Sequence, residues 1–215
     1  SFAGRNVTTG KENTIVGGLA FDANTVGERN VAIGYKAQSS DVGGWKTVAI
    51  GHGALENQNF STATDSFNVA VGHSAGNDVT TGVRNTLIGA LAGDALTESG
   101  SNVAIGFNSM TTNTSGSDNV AVGRGTLENF NVTTTTSTYN VAIGHESGND
   151  ITTGVQNTLI GGLAGDALTD ADRNVALGFF ALGDDTLGSR SVAVGYASLE
   201  NQNFTTATNG SHVGL

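Results

Sequence analysis

A five-residue motif that repeats along the whole chain is the feature that most restricts its fold. The motif reads Asn-Val-Ala-Ile-Gly or a close variant, and its closing glycines are Gly17, Gly34, Gly51, Gly72, Gly89, Gly106, Gly123, Gly144, Gly161, Gly178 and Gly195. The step in sequence number between successive closing glycines is 17, except at two places where it is 21. Three short units and one long unit therefore form a super-repeat, so that Gly51, Gly123 and Gly195 are spaced by 72. A fixed short period is the signature of a repeat architecture.

The repeat length decides which secondary structure each unit can contain. Seventeen residues are too few for two helices and their connections, but they are enough for short strands and turns. The chain is rich in Val, Ile, Thr and Asn and shows no helical periodicity, which favours strands. We therefore predict an all-β fold, a parallel β-solenoid with 17-residue coils and a 21-residue coil at every fourth position. About 12 coils stacked at the strand spacing of roughly 4.8 Å would form a rod on the order of 55 Å long.

The super-repeats indicate one continuous domain. The segment NDVTTGVRNTLIGALAGDAL from Asn77 reappears as NDITTGVQNTLIGGLAGDAL from Asn149. We predict a single β-solenoid over residues 1–215, divided into super-repeats at about 1–72, 73–144 and 145–215. Since the chain begins and ends inside a coil, we expect it to be a fragment of a longer fibrous protein.

The composition excludes several classes of protein. There is no cysteine, which rules out disulfide scaffolds and cysteine-ligated metal sites. Glycine, with 32 of 215 residues, is abundant but does not occupy every third position, and proline is absent, so the chain is not collagen. The net charge of −10 argues against a nucleic-acid partner. No apolar run is long enough for a membrane-spanning helix, so we expect no membrane insertion by this stretch.

The two faces of each predicted strand suggest how the chain assembles. Val31 and Ile33 lie on one face, where they could fill a narrow coil interior, and Ala32 lies on the other. The Ala32 face is also apolar in every unit, which is typical of strands buried on both faces. We expect a neighbouring chain to cover this second face around a three-fold axis; the alternative is a coil thick enough to bury both faces itself. The predicted subunit-contact residues, here called the alanine column, are Ile15, Ala32, Ala49, Ala70, Leu87, Ala104, Ala121, Ala142, Leu159, Ala176 and Ala193.

Three other positions of the repeat unit are expected to stabilise the fold rather than to carry a function. The first residue of the motif is Asn in nine of eleven copies, with Thr47 and Ser191 as exceptions, and we expect it to hydrogen-bond to turns or to its stacked neighbours. The closing glycine requires either a positive φ or a close approach of another backbone. Three residues after it stands Ala, Ser or Thr in every unit, as at Ala37, which predicts a second packed position.

The extra residues of the long units predict surface loops. They lie within residues 57–67, 129–139 and 201–211, which are rich in Thr, Asn and Phe. Insertions in solenoids map to loops on one face, often the binding face. We predict that Phe60, Phe130 and Phe204 contact a ligand there and could stack on sugars.

The sequence gives little evidence for catalytic or metal-binding residues. Residues 72–76 match the G-x-S-x-G motif, but Glu146 replaces Ser74 in the equivalent unit, so a hydrolase is not expected. His52, His73 and His145 share a column with Tyr35 and with other types, which predicts a surface ridge. Histidines meeting on a trimer axis, carboxylates binding calcium and threonine arrays binding ice are the weaker alternatives. We predict no enzyme, no cofactor and no bound metal.

The motif with its following small residue resembles the head repeats of YadA-like trimeric autotransporter adhesins. The longer segment GNDVTTGVRNTLIGALAG from Gly76 is similar to repeats of bacteriophage tail fibres. The resemblance implies a left-handed parallel β-roll that assembles as a homotrimer and attaches to surfaces. The sequence departs from the adhesin heads in its longer coils and its strict four-coil super-period.

These observations lead to one expected function. We expect a non-enzymatic fibrous segment, the shaft or head of a phage tail fibre or a surface adhesin, that gives multivalent host attachment. Its location would be extracellular, on a phage virion or a bacterial cell surface. Its expected partners are further copies of itself in a homotrimer and a cell-surface glycan or protein. The alternative is a purely structural spacer or filament subunit without a ligand.

Overall fold

The computed structural model describes residues 2–207 and 212–215, and in these ranges the protein is all-β, without a helix. It is a parallel β-solenoid of about 12 turns, with one turn for each repeat of the motif, as the sequence predicted. Each motif forms one short strand of a single long sheet that runs along the rod.

The strands are short and regularly spaced. In chain order they are β1 (Thr14–Val16), β2 (Val31–Ile33), β3 (Gly44–Trp45), β4 (Val48–Ile50), β5 (Thr64–Asp65), β6 (Val69–Val71), β7 (Thr86–Ile88), β8 (Val103–Ile105), β9 (Gly116–Ser117), β10 (Val120–Val122), β11 (Thr136–Ser137), β12 (Val141–Ile143), β13 (Thr158–Ile160), β14 (Val175–Leu177), β15 (Val192–Val194) and β16 (Val213–Gly214). The large sheet has 12 strands in the order β1-β2-β4-β6-β7-β8-β10-β12-β13-β14-β15-β16. The remaining strands form the two small sheets β3–β5 and β9–β11, which tie two of the long coils to the coils before them.

Neighbouring strands of the large sheet pair so that equivalent positions of the motif lie side by side. Val31 pairs with Val48 and Ala32 with Ala49, and the same motif positions pair between successive strands along the sheet. Because all neighbours are parallel and consecutive along the chain, the backbone always advances to the next coil in the same direction.

The inner and outer faces of the large sheet are the reverse of the expectation. Ala32 and Ala49 are fully buried, whereas Val31 and Ile33 are only half-buried. The coil interior contains the alanine column, small residues that follow the closing glycine, such as Ala37, and larger side chains such as Leu55 and Phe130. The expectation that Val31 and Ile33 fill the interior is therefore wrong, and these side chains lie on the outer surface.

The closing glycine is required for both of the reasons considered. Its φ lies between 123° and 145° in all eleven copies, a region that favours glycine. From Gly17 to Gly178, a Cβ would also lie 2.2–2.5 Å from the carbonyl oxygen of the next closing glycine. The column of glycines thus allows successive turns to approach closely.

The asparagine column forms a buried ladder of hydrogen bonds. Asn85 Oδ1 accepts from the backbone N–H of Asn102 at 3.0 Å, and Asn85 Nδ2 donates to the Ser99 carbonyl at 3.0 Å. Except at Asn119, whose Nδ2 donates to Asn102 Oδ1 and the Ser117 carbonyl, these side chains join a turn of their own coil to the start of the next. At the Thr47 exception, the backbone N–H of Asn68 instead donates to the Ser66 hydroxyl at 3.3 Å.

Candidate interaction surfaces

The alanine column does not lie on a surface. Ten of its members are fully buried within the single chain, and Ile15 is partly buried against the same core. The prediction that this column contacts a neighbouring subunit is wrong, because the chain's own coil covers it. The residues concerned are Ile15, Ala32, Ala49, Ala70, Leu87, Ala104, Ala121, Ala142, Leu159, Ala176 and Ala193.

The exposed apolar surface lies on the other face of the same strands. We call it the Val/Ile face; it consists of the first and third residues of each strand in the large sheet, as in Val31 and Ile33. Ile143 is 38% exposed and Ile160 is 40% exposed. Large exposed apolar patches often mark interaction sites, which makes this face the first candidate.

Two rows of side chains border the Val/Ile face. The N-terminal row contains the residue just before each asparagine-column position, and the C-terminal row contains the residue just after each closing glycine. The N-terminal row is Glu12, Arg29, Lys46, Phe67, Arg84, Ser101, Asp118, Tyr139, Gln156, Arg173 and Arg190. The C-terminal row is Gly18, Tyr35, His52, His73, Ala90, Phe107, Arg124, His145, Gly162, Phe179 and Tyr196.

Aromatic side chains stack along the C-terminal row, which is a surface ridge as predicted. The rings of His52 and His73 are stacked with centroids 5.0 Å apart, and Tyr35 lies 5.3 Å from His52. The rings of Phe179 and Tyr196 are stacked at 5.8 Å. These contacts join neighbouring coils, and Tyr35 and Tyr196 remain exposed at the surface.

The predicted ligand-contacting phenylalanines are mostly buried. Phe130 is fully buried and Phe60 is 6% exposed, while Phe204 is half-buried. The prediction that this set forms an aromatic contact surface is therefore wrong for Phe60 and Phe130, which pack inward. Phe130 occupies the core position that Gln58 holds in the first super-repeat. Residues 208–211 of the third predicted loop lie outside the described residues.

The exposed parts of the long coils are polar. Residues 61–63, 133–137 and 205–207 are exposed, and five of the first two segments' eight residues are threonine. Beside the second segment, a shallow groove of about 320 Å³ is lined by Arg84, Glu98, Ser101, Asp118 and Ser137 among others. Ser137 Oγ donates to Asp118 Oδ2 at 2.5 Å. A cation, two carboxylates and hydroxyls in one groove could hydrogen-bond to a hydroxyl-rich ligand.

Repeated carboxylates form a partly buried row on a different side of the coil. The pKa of Asp166 is raised to about 6, mainly by burial, with smaller contributions from the neighbouring carboxylates of Asp150 and Asp184. Burial also raises the pKa of Asp94, where a hydrogen bond from Thr111 partly opposes the effect. Across the described ranges, no group of three or more His, Cys, Asp or Glu side chains could hold a metal ion.

A buried carboxylate in the core was not predicted from the sequence. Asp41 is fully buried, and its Oδ2 accepts from Gln38 Nε2 at 2.7 Å and Gln58 Nε2 at 2.8 Å. Its Oδ1 accepts from the backbone N–H groups of Gly44 and Phe60, both at 3.0 Å. Four donors thus satisfy the charge, which is the condition for burying a carboxylate. Asp41 therefore stabilises a turn and has no free oxygen for chemistry.

The G-x-S-x-G segment lies in a solenoid turn. Ser74 follows β6 at the start of the turn with a φ of 53°, and the following residues continue into the next coil. The nucleophile motif instead requires a strand that leads into a helix. The segment is therefore ordinary repeat backbone.

No family model matches the chain, and neither the curated proteins nor the solved structures contain a significant match. In the part of the chain that the structure describes, no helix is long and apolar enough to cross a membrane.

Proposed function

We propose that the chain is a non-enzymatic rod segment of an attachment fibre, the shaft or head of a phage tail fibre or a bacterial surface adhesin. The observation that carries the proposal is the Val/Ile face, an apolar strip on the outside of an otherwise polar solenoid. The repeat motifs and their resemblance to fibre proteins support the same conclusion. The segment would act outside the cell, on a virion or a bacterial surface.

The proposed assembly is a homotrimer in which three Val/Ile faces meet around an axis parallel to the rod. Burying apolar surface contributes about 25 cal/mol per Å², so a strip of this length is a strong driving force for association. Cyclic symmetry places the same face of every subunit toward the axis. The exposed long-coil segments would then point away from one another on three sides of the fibre.

The mechanism of attachment would be multivalent. Four strand spacings separate successive long coils, so equivalent segments recur every ~19 Å along each chain. Weak contacts repeated on three chains add through effective concentration. The ligand contacts we propose are the exposed threonine-rich segments, whose hydroxyl groups suit a cell-surface glycan.

Light scattering tests the assembly. We expect the mass of three chains, and we expect the paired substitutions Ile143→Asp and Ile160→Asp to convert the protein to monomers, because they place charges on the Val/Ile face. Thr134→Asp, on an exposed segment of a long coil, is the control and should leave the mass unchanged. A wild-type monomer at high concentration would contradict the proposed trimer.

A spacer without a ligand is the second candidate, because Phe60 and Phe130 are buried and offer no aromatic surface for sugars. Binding to a glycan array by the wild-type protein, reduced by Thr133→Ala and Thr135→Ala in the exposed segment of the second long coil, would support attachment. An array that stays blank at high protein concentration would support the spacer.

A further inference from the structure

We propose that the N-terminal row of one subunit lies against the C-terminal row of the next subunit, coil by coil, and that these contacts fix the axial register of the fibre. This inference rests on the assembly proposed above, with a second copy of the chain as the partner. It concerns the borders of the Val/Ile face rather than its apolar centre.

The two rows have complementary chemistry. Among the described residues, the N-terminal row holds five of the chain's nine Lys and Arg residues. The C-terminal row holds aromatic rings and histidines and has no carboxylate. A guanidinium is attracted to the face of an aromatic ring, and such contacts contribute about 0.5–2 kcal/mol.

The match extends to individual coils. The residue of the C-terminal row that shares a coil with Arg29 is Tyr35, and Arg190 likewise shares a coil with Tyr196. Phe67 and Tyr139 each share a coil with a histidine. The pairs that combine a cation with an aromatic ring are Arg29 with Tyr35, Arg173 with Phe179, and Arg190 with Tyr196.

One coil has a carboxylate and a cation in place of a cation and an aromatic ring. Arg124 is the cation of the described C-terminal row, and the residue of the N-terminal row in its coil is Asp118. Both side chains reach the surface, and Arg124 also donates to Glu146 within its own chain at 2.6 Å. A carboxylate stands where the opposing row is cationic, which is what contact between the rows requires.

The members of each pair do not meet within one chain. Asp118 precedes β10 and Arg124 follows it, with Val120–Val122 and two flanking residues between them. Six residue steps along extended backbone span up to about 20 Å, so the two residues lie at opposite borders of the Val/Ile face. The two residues of each pair are complementary and belong to the same coil, but they cannot touch each other within one chain. We therefore infer that each contacts the matching residue of a neighbouring chain.

Symmetry decides which rows meet. An axis parallel to the rod brings the N-terminal row of one subunit to the C-terminal row of its neighbour at the same height. A two-fold axis perpendicular to the rod would instead bring each row against itself in reverse order. In that arrangement the N-terminal row does not meet the C-terminal row, so Asp118 could not contact Arg124 and Arg29 could not contact Tyr35.

A charge substitution tests the pairing. Asp118→Arg should weaken association of the subunits at least about tenfold, because it opposes Arg124 of the neighbour with a like charge. Combining it with Arg124→Tyr reproduces the pair of Arg190 with Tyr196 and should restore association. Ser101→Arg is the matched control, since the residue in its coil is Phe107 and association should be unchanged or tighter.

Cysteine cross-linking tests the register directly, because the natural chain has no cysteine. A disulfide requires Cα atoms within about 7 Å. In a trimer, the double variant Asp118→Cys with Arg124→Cys should form covalent trimers under oxidation. Asp118→Cys with Ala90→Cys, displaced by two coils or about 10 Å along the rod, should not.

The outcomes separate this inference from the proposed trimer. A wild-type monomer would contradict the trimer itself. A trimer that forms no cross-link with either cysteine pair, or that cross-links only at position 90, would keep the trimer and overturn the row contacts. Equal effects of Asp118→Arg and Ser101→Arg on association would also overturn them.

Discussion

The side chain of Leu87 fills the space that a side chain at Gly76 would occupy. A Cβ at Gly76 would lie 2.6 Å from Leu87 Cδ1, far inside normal contact distance. Leu87 also approaches the position of a Cβ at Gly93, at 2.8 Å. Leu87 thus fills the space beside two glycines in neighbouring coils. Leu159 fills the space beside Gly148 and Gly165 in the next super-repeat in the same way.

This compensation predicts strong coupling between the two positions. Gly76→Ala should destabilise the protein by more than about 2 kcal/mol, through the clash and the positive φ of 59°. In a Leu87→Ala background the shortest of these contacts disappears and that with Leu55 Cδ2 at 3.0 Å remains, so the same substitution should be less harmful by at least about 1 kcal/mol. Urea unfolding of the four proteins measures the coupling.

The control for this prediction is Gly53→Ala. Gly53 has a similar φ of 65°, but its nearest neighbours are the ends of flexible side chains at 3.3 Å. Gly53→Ala should lower the free energy of unfolding by about 1 kcal/mol, from backbone strain alone. The loss should be the same whether residue 87 is Leu or Ala. Additive effects at Gly76 and Leu87 would contradict the proposed packing.

The asparagine column should be sensitive to loss of the amide. Asn85→Ala leaves the buried N–H of Asn102 and the carbonyl of Ser99 without partners. We expect a loss of about 2–4 kcal/mol in the free energy of unfolding, since each unpaired buried group costs about 1–3 kcal/mol. Asn59→Ala, at an exposed asparagine, should change stability by less than about 0.5 kcal/mol. Equal losses at the two sites would refute a special role for the column.

The buried Asp41 should tolerate an amide but not an apolar side chain. Asp41→Asn keeps an oxygen for the backbone N–H groups of Gly44 and Phe60, and the same column holds Asn113. Asp41→Leu removes all four hydrogen bonds and should cost about 3 kcal/mol or more, although Leu96 occupies this column in another coil. Thermal unfolding of the two variants should therefore differ by well over about 5 °C, and similar melting temperatures would exclude this explanation.

The raised pKa of Asp166 predicts a pH effect with a definite sign. The folded protein holds the proton up to about pH 6, whereas the unfolded chain releases it near the ordinary pKa of about 3.9. Between these values the folded state binds more protons, so this group's contribution to stability falls as the pH rises from about 4 to above 6. Ionised Asp166 therefore destabilises the fold at neutral pH.

Asp166→Asn isolates that effect. The variant should be more stable than the wild type at pH 7, by about 1 kcal/mol after solvent screening of a half-buried group, and the difference should vanish near pH 4. Asn77 and Asn149 occupy the same column, so the amide fits. Asp170→Asn, at an exposed carboxylate, serves as the control. A stability difference at Asp166 that grows toward acid would contradict the sign.

The coil boundaries could be predicted because every strand carries the same pattern. The repeat placed strands at Val31–Ile33 and Val103–Ile105, and the structure has them there, paired in the predicted parallel order. The closing glycines and the small residues after them also follow the prediction, because their roles depend on local backbone geometry.

The alternation of residues along each strand could not show which face of the strand points into the coil. Both faces of the motif are apolar, and alternation separates them without stating which is inside. The structure places Ala32 inside the coil, beside larger core residues from the turns, and leaves Val31 and Ile33 half-buried on the outside. The available signal was the joint occurrence of Leu87 with glycine at Gly76 and Gly93, which indicates a shared volume.

The prediction that Phe60 and Phe130 lie on an exposed loop failed for a different reason. Phe130 aligns with Gln58 and Val79, which belong to a buried column, rather than with Phe60. Residue type suggested a binding loop, but the position in the coil decides whether the ring is accessible.

The constant step of the asparagine ladder has a consequence for how the rod folds. Its hydrogen bonds join residues 17 positions apart in short coils and 21 across a long coil, wherever they occur in the chain. Each added coil therefore closes a loop of the same modest length, and loop-closure entropy does not accumulate with distance along the chain. Relative contact order falls as such an array grows, which favours rapid folding. A rod of this design can be lengthened by repetition without any contact becoming harder to form.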